Sequence, residues 1–562
     1  MSEINKVMSI DMFNESLINF EVTKMEEAEF VWAQFPEDST SGAPHFSSAK
    51  DITSTFAYGI KGNRYFDEIA FSANDTKNAQ AEIYPGGSNA GGSRSGNIAG
   101  YHVKGMGANP LLGEVDYDWY SYGGLSFYEA ALEAINTIIL NAILPYGCVN
   151  CYAIIKTGDR TALHPTGKLL DDNRGKGALL VREQCLRPAH FFPLENFVPV
   201  DRNQYLVEFD QERVSSLSQK LLNLLGGIDR LNDYIVNFYI KSAAQFSTAK
   251  IFRIFHGAMN YSNISFDGRW LDVATTAFVQ GGSDYGVNRP LPSFYKEHIS
   301  PLNYINVFYQ EIDGIIPKEM IVKIYSAELK KHTIRSFIKI MGINKEPSES
   351  IVDLPVISEL AMKFWDCVLD ASGSSGEINL PMVVDENDPS LIHLKRLHHD
   401  LLLFTKDKNR TSLISEFYTA FCSQIGLCTH DEVCEFIRHS LLRSSRLIYG
   451  GEFFVGGRLR TYLDSLVRNE PEHHVGQFIS AVDDISKWVF NFSEEQVTLF
   501  SSTACRVIYS DSRFYFEIRG YVKHVNNPEN AYKIALHIHN QDLSVAHFCF
   551  KKALLNSISA IV

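Results

Sequence analysis

No run of eighteen apolar residues occurs in this chain, so no membrane span is expected. The opening MSEINKVMSIDMF lacks the basic start and apolar core of a secretory signal. Cysteine is sparse: nine among 562 residues, at 148, 151, 185, 367, 422, 428, 434, 505 and 549. An odd count at irregular spacing excludes a disulfide framework and reads as reduced thiols in a cytoplasmic protein. Cys148-x-x-Cys151 has no second pair at zinc spacing and reads as two small residues entering a strand. Cys428, His430 and Cys434 near one helix start, and His537, His539 and His547 on strand faces, read as core or surface residues. Basic residues are in deficit, 52 against 66 acidic, for a formal charge of −14. That balance argues against nucleic acid or an anionic membrane as the main ligand. No internal repeat is visible.

The apolar fraction is 45%, ample for a core, and the length implies two or three domains. Residues 1–80 show no clear periodicity and read as an N-terminal extension. Residues 81–200 read as a sheet-and-helix unit. The S-x-x-E box Ser126–Glu129 opens a helix that stops before Pro145. Residues 201–370 read as a further unit, helical over 211–250, where Leu217, Leu221, Leu224, Leu231, Ile235 and Phe238 fall at helical spacing, with a hairpin following over 251–280. ASGSSGEINLP at 371–381 reads as a linker. Helices continue over 382–490. The runs VTLFSS, CRVIYS, RFYFEIRGYV, KIALHIH and VAHFCF make 491–562 a β-rich subdomain.

One segment promises chemistry. Asp267-Gly268 favours a two-residue type I′ hairpin. That loop would pair Phe266 with Arg269, Ser265 with Trp270, Ile264 with Leu271 and Asn263 with Asp272. Directly opposed residues share a face, with Cβ atoms roughly 5 Å apart. An amide oxygen and a carboxylate so placed suit one hard cation, typically Mg²⁺ carrying a nucleotide phosphate. The plain alternative is a surface hairpin.

Upstream, residues 85–107 read PGGSNAGGSRSGNIAGYHVKGMG. Glycines such as Gly91 and Gly92 let a backbone approach phosphate oxygens. Arg94 lies in this loop and Lys104 in the strand after it, the order in which kinase-like folds hold nucleotide phosphates. A buried lysine needs a counter-charge. Glu129 is taken by the helix cap, which leaves Glu133 as the partner of Lys104. Arg182 and Arg187, on a strand and its following turn, can reach one polyphosphate through bidentate forks. Their loss is expected to harm turnover more than folding. Surface salt bridges are the alternative for either arginine.

Together these motifs resemble the selenoprotein O family of atypical kinase-like folds. HVKGMG is similar to its lysine strand, Leu125–Leu144 to its glutamate helix, VREQCLRPAHF to its two-arginine segment and HGAMNYSNISFDGRWLDVAT to its catalytic and metal segment. The likeness covers about residues 50–290. It implies an α+β fold with a two-lobed kinase-like core, a helical C-terminal extension and a small β-rich end. It also implies ATP and Mg²⁺ as cofactors and transfer of AMP with pyrophosphate leaving. By motif, Arg94, Lys104, Glu133, Arg182 and Arg187 would hold polyphosphate, and Asn263 and Asp272 would hold Mg²⁺. The family's aspartate before the metal-binding asparagine is Ser262 here, and Val273 follows Asp272.

GGLSFYEA, LLVREQCLRPAHF, HGAMNYSNI and PGGSNAGGSRSGN also resemble the MchC-like proteins of siderophore-microcin and related peptide-maturation clusters. That resemblance implies a ribosomal precursor peptide as substrate, an acyltransferase-like partner protein and, in the siderophore microcins, linkage of the peptide C-terminus to a glycosylated siderophore. A carboxylate nucleophile is already ionised near neutral pH and needs no base, so the serine at 262 suits carboxylate activation as an acyl-adenylate, or an acyl-phosphate. A hydroxyl-directed AMPylase or kinase would need His256 or Asp267 as base. A scaffold without catalysis, binding nucleotide or peptide, is the third reading.

Overall fold

The computed structural model describes residues 10–36, 46, 48–62, 69–114, 123–161, 173–200, 203–278, 294–308, 311–369, 389–454, 458–491, 493–501, 505–518, 520–527, 529–534 and 558. The linker expected at 371–381, the VAHFCF run and His537, His539 and His547 lie outside them.

The fold is mixed α+β. Its N-terminal third carries a nine-stranded antiparallel sheet made of β1 (Leu17–Met25), β2 (Glu29–Ala33), β3 (Tyr58–Gly59), β4 (Phe71–Gly86), β5 (Asn89–Gly91), β6 (Ser95–Ile98), β7 (Tyr101–Lys104), β8 (Cys151–Thr161) and β9 (Lys176–Glu183). The order is β2-β8-β9-β7-β6-β4-β1-β3, with β5 on β4. The strands over 17–86 are therefore integral to the sheet rather than a separate extension, and a boundary at 80 falls inside β4. Sequence periodicity misses β4 because its first half is solvent-facing and polar while its second half, Ala81–Tyr84, is buried on both faces.

Alternation along the central strands sorts two cores. On β9, Leu179 and Val181 join the far-side core with Ala81, Ile83 and Val103, near α1 (Ala49–Phe56). Leu180 faces the other way, into the core shared with α2 (Phe127–Ile143). Arg182 is two residues on and shares that second face. The Ser126 hydroxyl accepts from the Glu129 amide at 3.1 Å, so the cap forms.

Helices follow: α3 (Asp210–Leu225), α4 (Ile228–Ile251), α5 (Lys318–Ile340), α6 (Pro355–Leu369), α7 (Pro389–Lys406), α8 (Leu413–Gln424), α9 (His430–Phe454), α10 (Arg458–Asn469) and α11 (Glu472–Val489). The break between α3 and α4 is Gly226-Gly227, both at positive φ, a helix C-terminus that glycine permits without strain. The helical C-terminal region does not hang free. Helix α11 packs along α2 and against β2, and Lys156 pairs with Glu472.

Beyond a short pair, β10 (Ile254–Phe255) and β11 (Ala277–Phe278), a separate four-stranded meander lies near the C-terminal end: β12 (Val497–Ser501), β13 (Cys505–Ser510), β14 (Arg513–Ile518) and β15 (Tyr521–Val525). The KIALHIH run does not begin as a strand, since 529–534 are helical. Asn527 explains this: its Oδ1 accepts from the Glu529 amide at 2.8 Å, a side-chain cap that starts a helix where β-type residues alone suggest a strand.

Candidate functional site

The register of β7 and β9 begins the site. His102 lies directly opposite Arg182, and Lys104 opposite Leu180. Cross-strand partners share a face, so His102, Lys104 and Arg182 all project toward α2. Glu133, on the second turn of α2, meets them. Lys104 Nζ lies 2.8 Å from Glu133 Oε2 and Arg182 NH1 lies 3.0 Å from Glu133 Oε1. The lysine–glutamate pairing expected from order and spacing is formed.

Asp272 completes a ring. Its Oδ1 accepts from Lys104 Nζ at 2.9 Å and from Arg182 NH1 at 2.8 Å. Two cations and two carboxylates thus alternate around a closed, neutral circuit. Burial pushes the Asp272 carboxyl up, but Arg182 and Lys104 outweigh it and hold it well below the usual carboxylate range. Burial pulls the Lys104 ammonium down, and Asp272 and Glu133 more than restore it. The ring is oriented from behind: Arg182 Nε donates to His102 Nδ1 at 3.0 Å. Burial, with the Arg182 charge beside it, keeps His102 neutral far below its ordinary pKa.

Asp272 does not reach this ring as a hairpin partner of Asn263. The loop holds three residues, Phe266-Asp267-Gly268, and the register is shifted by one. Ile264 is opposite Trp270, and the Leu271 amide donates to the Asn263 carbonyl at 3.1 Å. The Gly268 amide closes a turn on the Ser265 carbonyl at 2.9 Å, with Gly268 at φ +85°, the three-residue hairpin with a left-handed glycine. Burial of Phe266 explains the choice. Its ring packs against Phe191, Tyr234, Phe238 and Phe308, worth about 1.5–3 kcal/mol. A two-residue loop would place it opposite Arg269 instead. Arg269 then pins the tip through two bonds to Glu183, at 2.6 and 2.9 Å, and one to Asp267 at 2.8 Å. Asp272 leaves the hairpin in the left-handed region, φ 56° and ψ 45°, and stands just before the 3₁₀ turn Val273–Thr275 without a side-chain cap bond.

The other expected residues scatter around the ring. Asn263 Nδ2 donates to the Ala258 carbonyl at 2.7 Å, and its Oδ1 lies 3.2 Å from Ser262 Oγ. Arg94 lies one turn of α2 away: its guanidinium bonds to Glu129 Oε1 at 2.9 Å and to the Gly124 carbonyl at 3.0 Å. Glu129 is therefore Arg94's partner, and its carboxylate does not complete the cap. Gly91 serves strand packing, since a Cβ there would lie 2.0 Å from the Glu82 carbonyl. At Gly92 it would meet Ser95 Oγ at 2.4 Å. These close approaches are reason enough for glycine at both positions.

Arg187 forms a second buried cluster that sequence reasoning missed in part. Its NH1 donates to Tyr84 Oη and to the Ser262 carbonyl, both at 3.1 Å, and NH2 lies 3.5 Å from Glu82 Oε2. His190 Nδ1 accepts from the Arg187 amide, so its Nε2 carries the hydrogen and donates to Glu82 at 3.3 Å. Burial pushes the Glu82 carboxyl up, but Arg187 and the His190 bond outweigh it and hold it below the usual range. The expectation that Arg187 matters for turnover more than folding is thus revised, because this residue neutralises a buried carboxylate. The one available signal was Glu82 itself, a lone charge inside the apolar run Ala81-Glu82-Ile83-Tyr84. Glu297 had no signal. It is fully buried against Lys250 at 3.2 Å, and accepts from the His256 and Gly257 amides, at 3.2 and 3.1 Å. It thereby fixes the start of the HGAMN segment.

No group of three or more His, Cys, Asp or Glu side chains that could hold a metal occurs among the described residues. The shared face expected for one cation between Asn263 and Asp272 is not formed, because Leu271 rather than Asp272 lies opposite Asn263. No family model matches this chain, and no curated protein is similar enough to it to count as a relative.

Proposed function

We propose that this chain is an ATP- and Mg²⁺-dependent enzyme of kinase-like architecture. It would activate the C-terminal carboxylate of a ribosomal precursor peptide by adenylation, for linkage to an acceptor such as a glycosylated siderophore. An acyltransferase-like partner would make that linkage. The observation that carries the reading is the ring of Lys104, Glu133, Arg182 and Asp272, formed between a strand pair, one helix and one loop. Lys104 and Arg182 converge on one carboxylate oxygen, and a phosphate oxygen offers the same charge and bonding pattern. The antiparallel sheet carrying the lysine, followed by a helical lobe, supports the kinase-like comparison.

In this reaction a peptide carboxylate oxygen bonds to the α-phosphorus, the bond to the β-phosphate oxygen breaks, and pyrophosphate leaves with the electron pair. Lys104 and Arg182 hold the phosphates and offset developing negative charge. Mg²⁺, when bound with the nucleotide near Asp272 and Asn263, would neutralise the transferred group. No base is needed. The residues that hydroxyl chemistry would require are otherwise engaged: His256 is fully buried, donates Nε2 to the Leu271 carbonyl at 2.9 Å and accepts from the Ala258 amide. Asp267 is paired with Arg269. Incubation with precursor peptide and Mg·ATP tests the reading. AMP and pyrophosphate are expected, whereas ADP would indicate a kinase and no turnover a scaffold.

Lys104→Met should weaken ATP binding about 10- to 150-fold in calorimetry, the loss of one charge-assisted contact of about 1.5–3 kcal/mol. Unchanged affinity would count against the nucleotide site. Ser262→Ala should cost less than about threefold in pyrophosphate release. The Ser262 hydroxyl is turned onto Asn260 Oδ1 at 2.6 Å, and a carboxylate nucleophile leaves it no proton to take. A large loss with the fold intact would favour hydroxyl or covalent chemistry.

A further inference from the structure

The turn that Asp272 begins is held from two helices. On α2, one turn from Glu133, Asn136 Nδ2 donates to the Val273 carbonyl at 2.8 Å and lies 3.5 Å from the Thr276 carbonyl. On α10, Arg460 NH2 donates to the Ala274 carbonyl at 3.1 Å and to the same Thr276 carbonyl at 3.0 Å. Thus Val273, Ala274 and Thr276, all within four residues of Asp272, have carbonyls gripped by side chains whose own hydrogen bonds go to this turn and not to the ring. Asp272 needs such support. Its left-handed backbone costs an L-residue about 1–2 kcal/mol, which a short polar side chain such as aspartate only partly relieves.

Helix α10 is itself well anchored. It packs against α2 and against the 3₁₀ turn Asn173–Gly175 that leads into β9. Arg174 and Asp464 join the two at 3.2 Å. Burial pulls the Arg460 guanidinium below its ordinary pKa. The side chain is therefore kept charged at a desolvation cost, for the sake of carbonyl contacts.

We infer that Arg460 and Asn136 are positioning residues for Asp272, and that through Arg460 the C-terminal helical region sets the alignment of the site. The inference deepens the proposed reading and rests on it for any effect on turnover, but the geometric part stands without activity. Arg460 does not touch the ring, so its removal should lower kcat while leaving Mg·nucleotide affinity within about threefold. Arg460→Lys, which keeps a cation able to donate to two carbonyls, should recover most of the loss.

The test is hydrogen exchange by mass spectrometry on the full chain, comparing wild type, Arg460→Ala, Arg460→Lys and Arg460→Gln without substrate. In Arg460→Ala, amides of residues 272–278 should exchange about 10-fold faster, while β13 and β14 stay within about twofold of wild type. Arg460→Lys should return near wild type. Arg460→Gln keeps a neutral donor for one carbonyl and should fall between. It also serves if the alanine variant does not fold. Unchanged exchange at 272–278 in folded Arg460→Ala or Arg460→Gln overturns the inference whatever the activity. Faster exchange there in a protein that never releases pyrophosphate would uphold the positioning role and remove the adenylation reading instead.

Discussion

Asp272→Asn should cut peptide-dependent pyrophosphate release by about 10²- to 10³-fold, the scale on which losing one preorganised electrostatic contact acts. Asparagine keeps the size of the side chain and tolerates the left-handed backbone, so the turn should survive. What goes is the charge. The ring then holds Lys104 and Arg182 against Glu133 alone and carries a net positive charge. The added positive charge favours the anionic nucleotide while the lost carboxylate disfavours its Mg²⁺, so the two effects on affinity oppose each other and the loss belongs mainly in kcat. Steady-state kinetics with calorimetry on the same preparation separates the two. Full turnover in a folded variant would remove Asp272 from the chemistry.

Arg187→Ala should destabilise the protein by about 3–5 kcal/mol, the usual cost of leaving one partner of a buried ion pair behind. Glu82 is 4% exposed, with Asn97 and His190 as its remaining partners. Denaturant unfolding measures the change. Adding Glu82→Gln to Arg187→Ala should recover part of the loss, because the stranded charge is gone. Equal or greater destabilisation in the double variant would refute the pairing. The pH dependence has a definite sign. Folding holds the Glu82 carboxyl below its unfolded value, so its contribution is complete above about pH 4 and shrinks as pH falls below that. The gap between wild type and Arg187→Ala should narrow in acid.

How much of this was legible in the sequence depended on the kind of signal each residue gives. Helix α2 was readable because Ser126 caps it, its apolar spacing persists and Pro145 follows. Lys104 and Glu133 were readable because a charge amid apolar neighbours demands a counter-charge. The hairpin register was not, since Asp267-Gly268 suits both two- and three-residue loops. The decision lay with Phe266, whose burial depends on Phe191, Tyr234 and Phe308 far away in sequence. Arg94 reads as a ligand contact only while Glu129 is spent on the cap, and the Glu129 carboxylate is free of the cap to pair with Arg94. Asn136 and Arg460 gave no sign at all, because a side chain that holds backbone carbonyls looks like any other polar residue on a helix. The sheet strands before residue 80 were hidden for a related reason: Phe71–Asn78 is polar and solvent-facing, and its place is set by pairing with β1.

The spread of the ring along the chain has a consequence for synthesis. Lys104 and Asp272 are 168 residues apart. At about 5–20 residues per second, the ribosome takes roughly 8–34 s to cover that distance. During this interval Lys104 on β7 and, once made, Arg182 on β9 have only Glu133 as a counter-charge within the ring. Arg460 emerges later still, 186 residues after Ala274. A nascent chain stalled before residue 272 should therefore carry an open, electropositive seam that invites chaperones. Stalled chains of graded length, probed by limited proteolysis, should show the sheet becoming resistant only once Asp272 has cleared the exit tunnel.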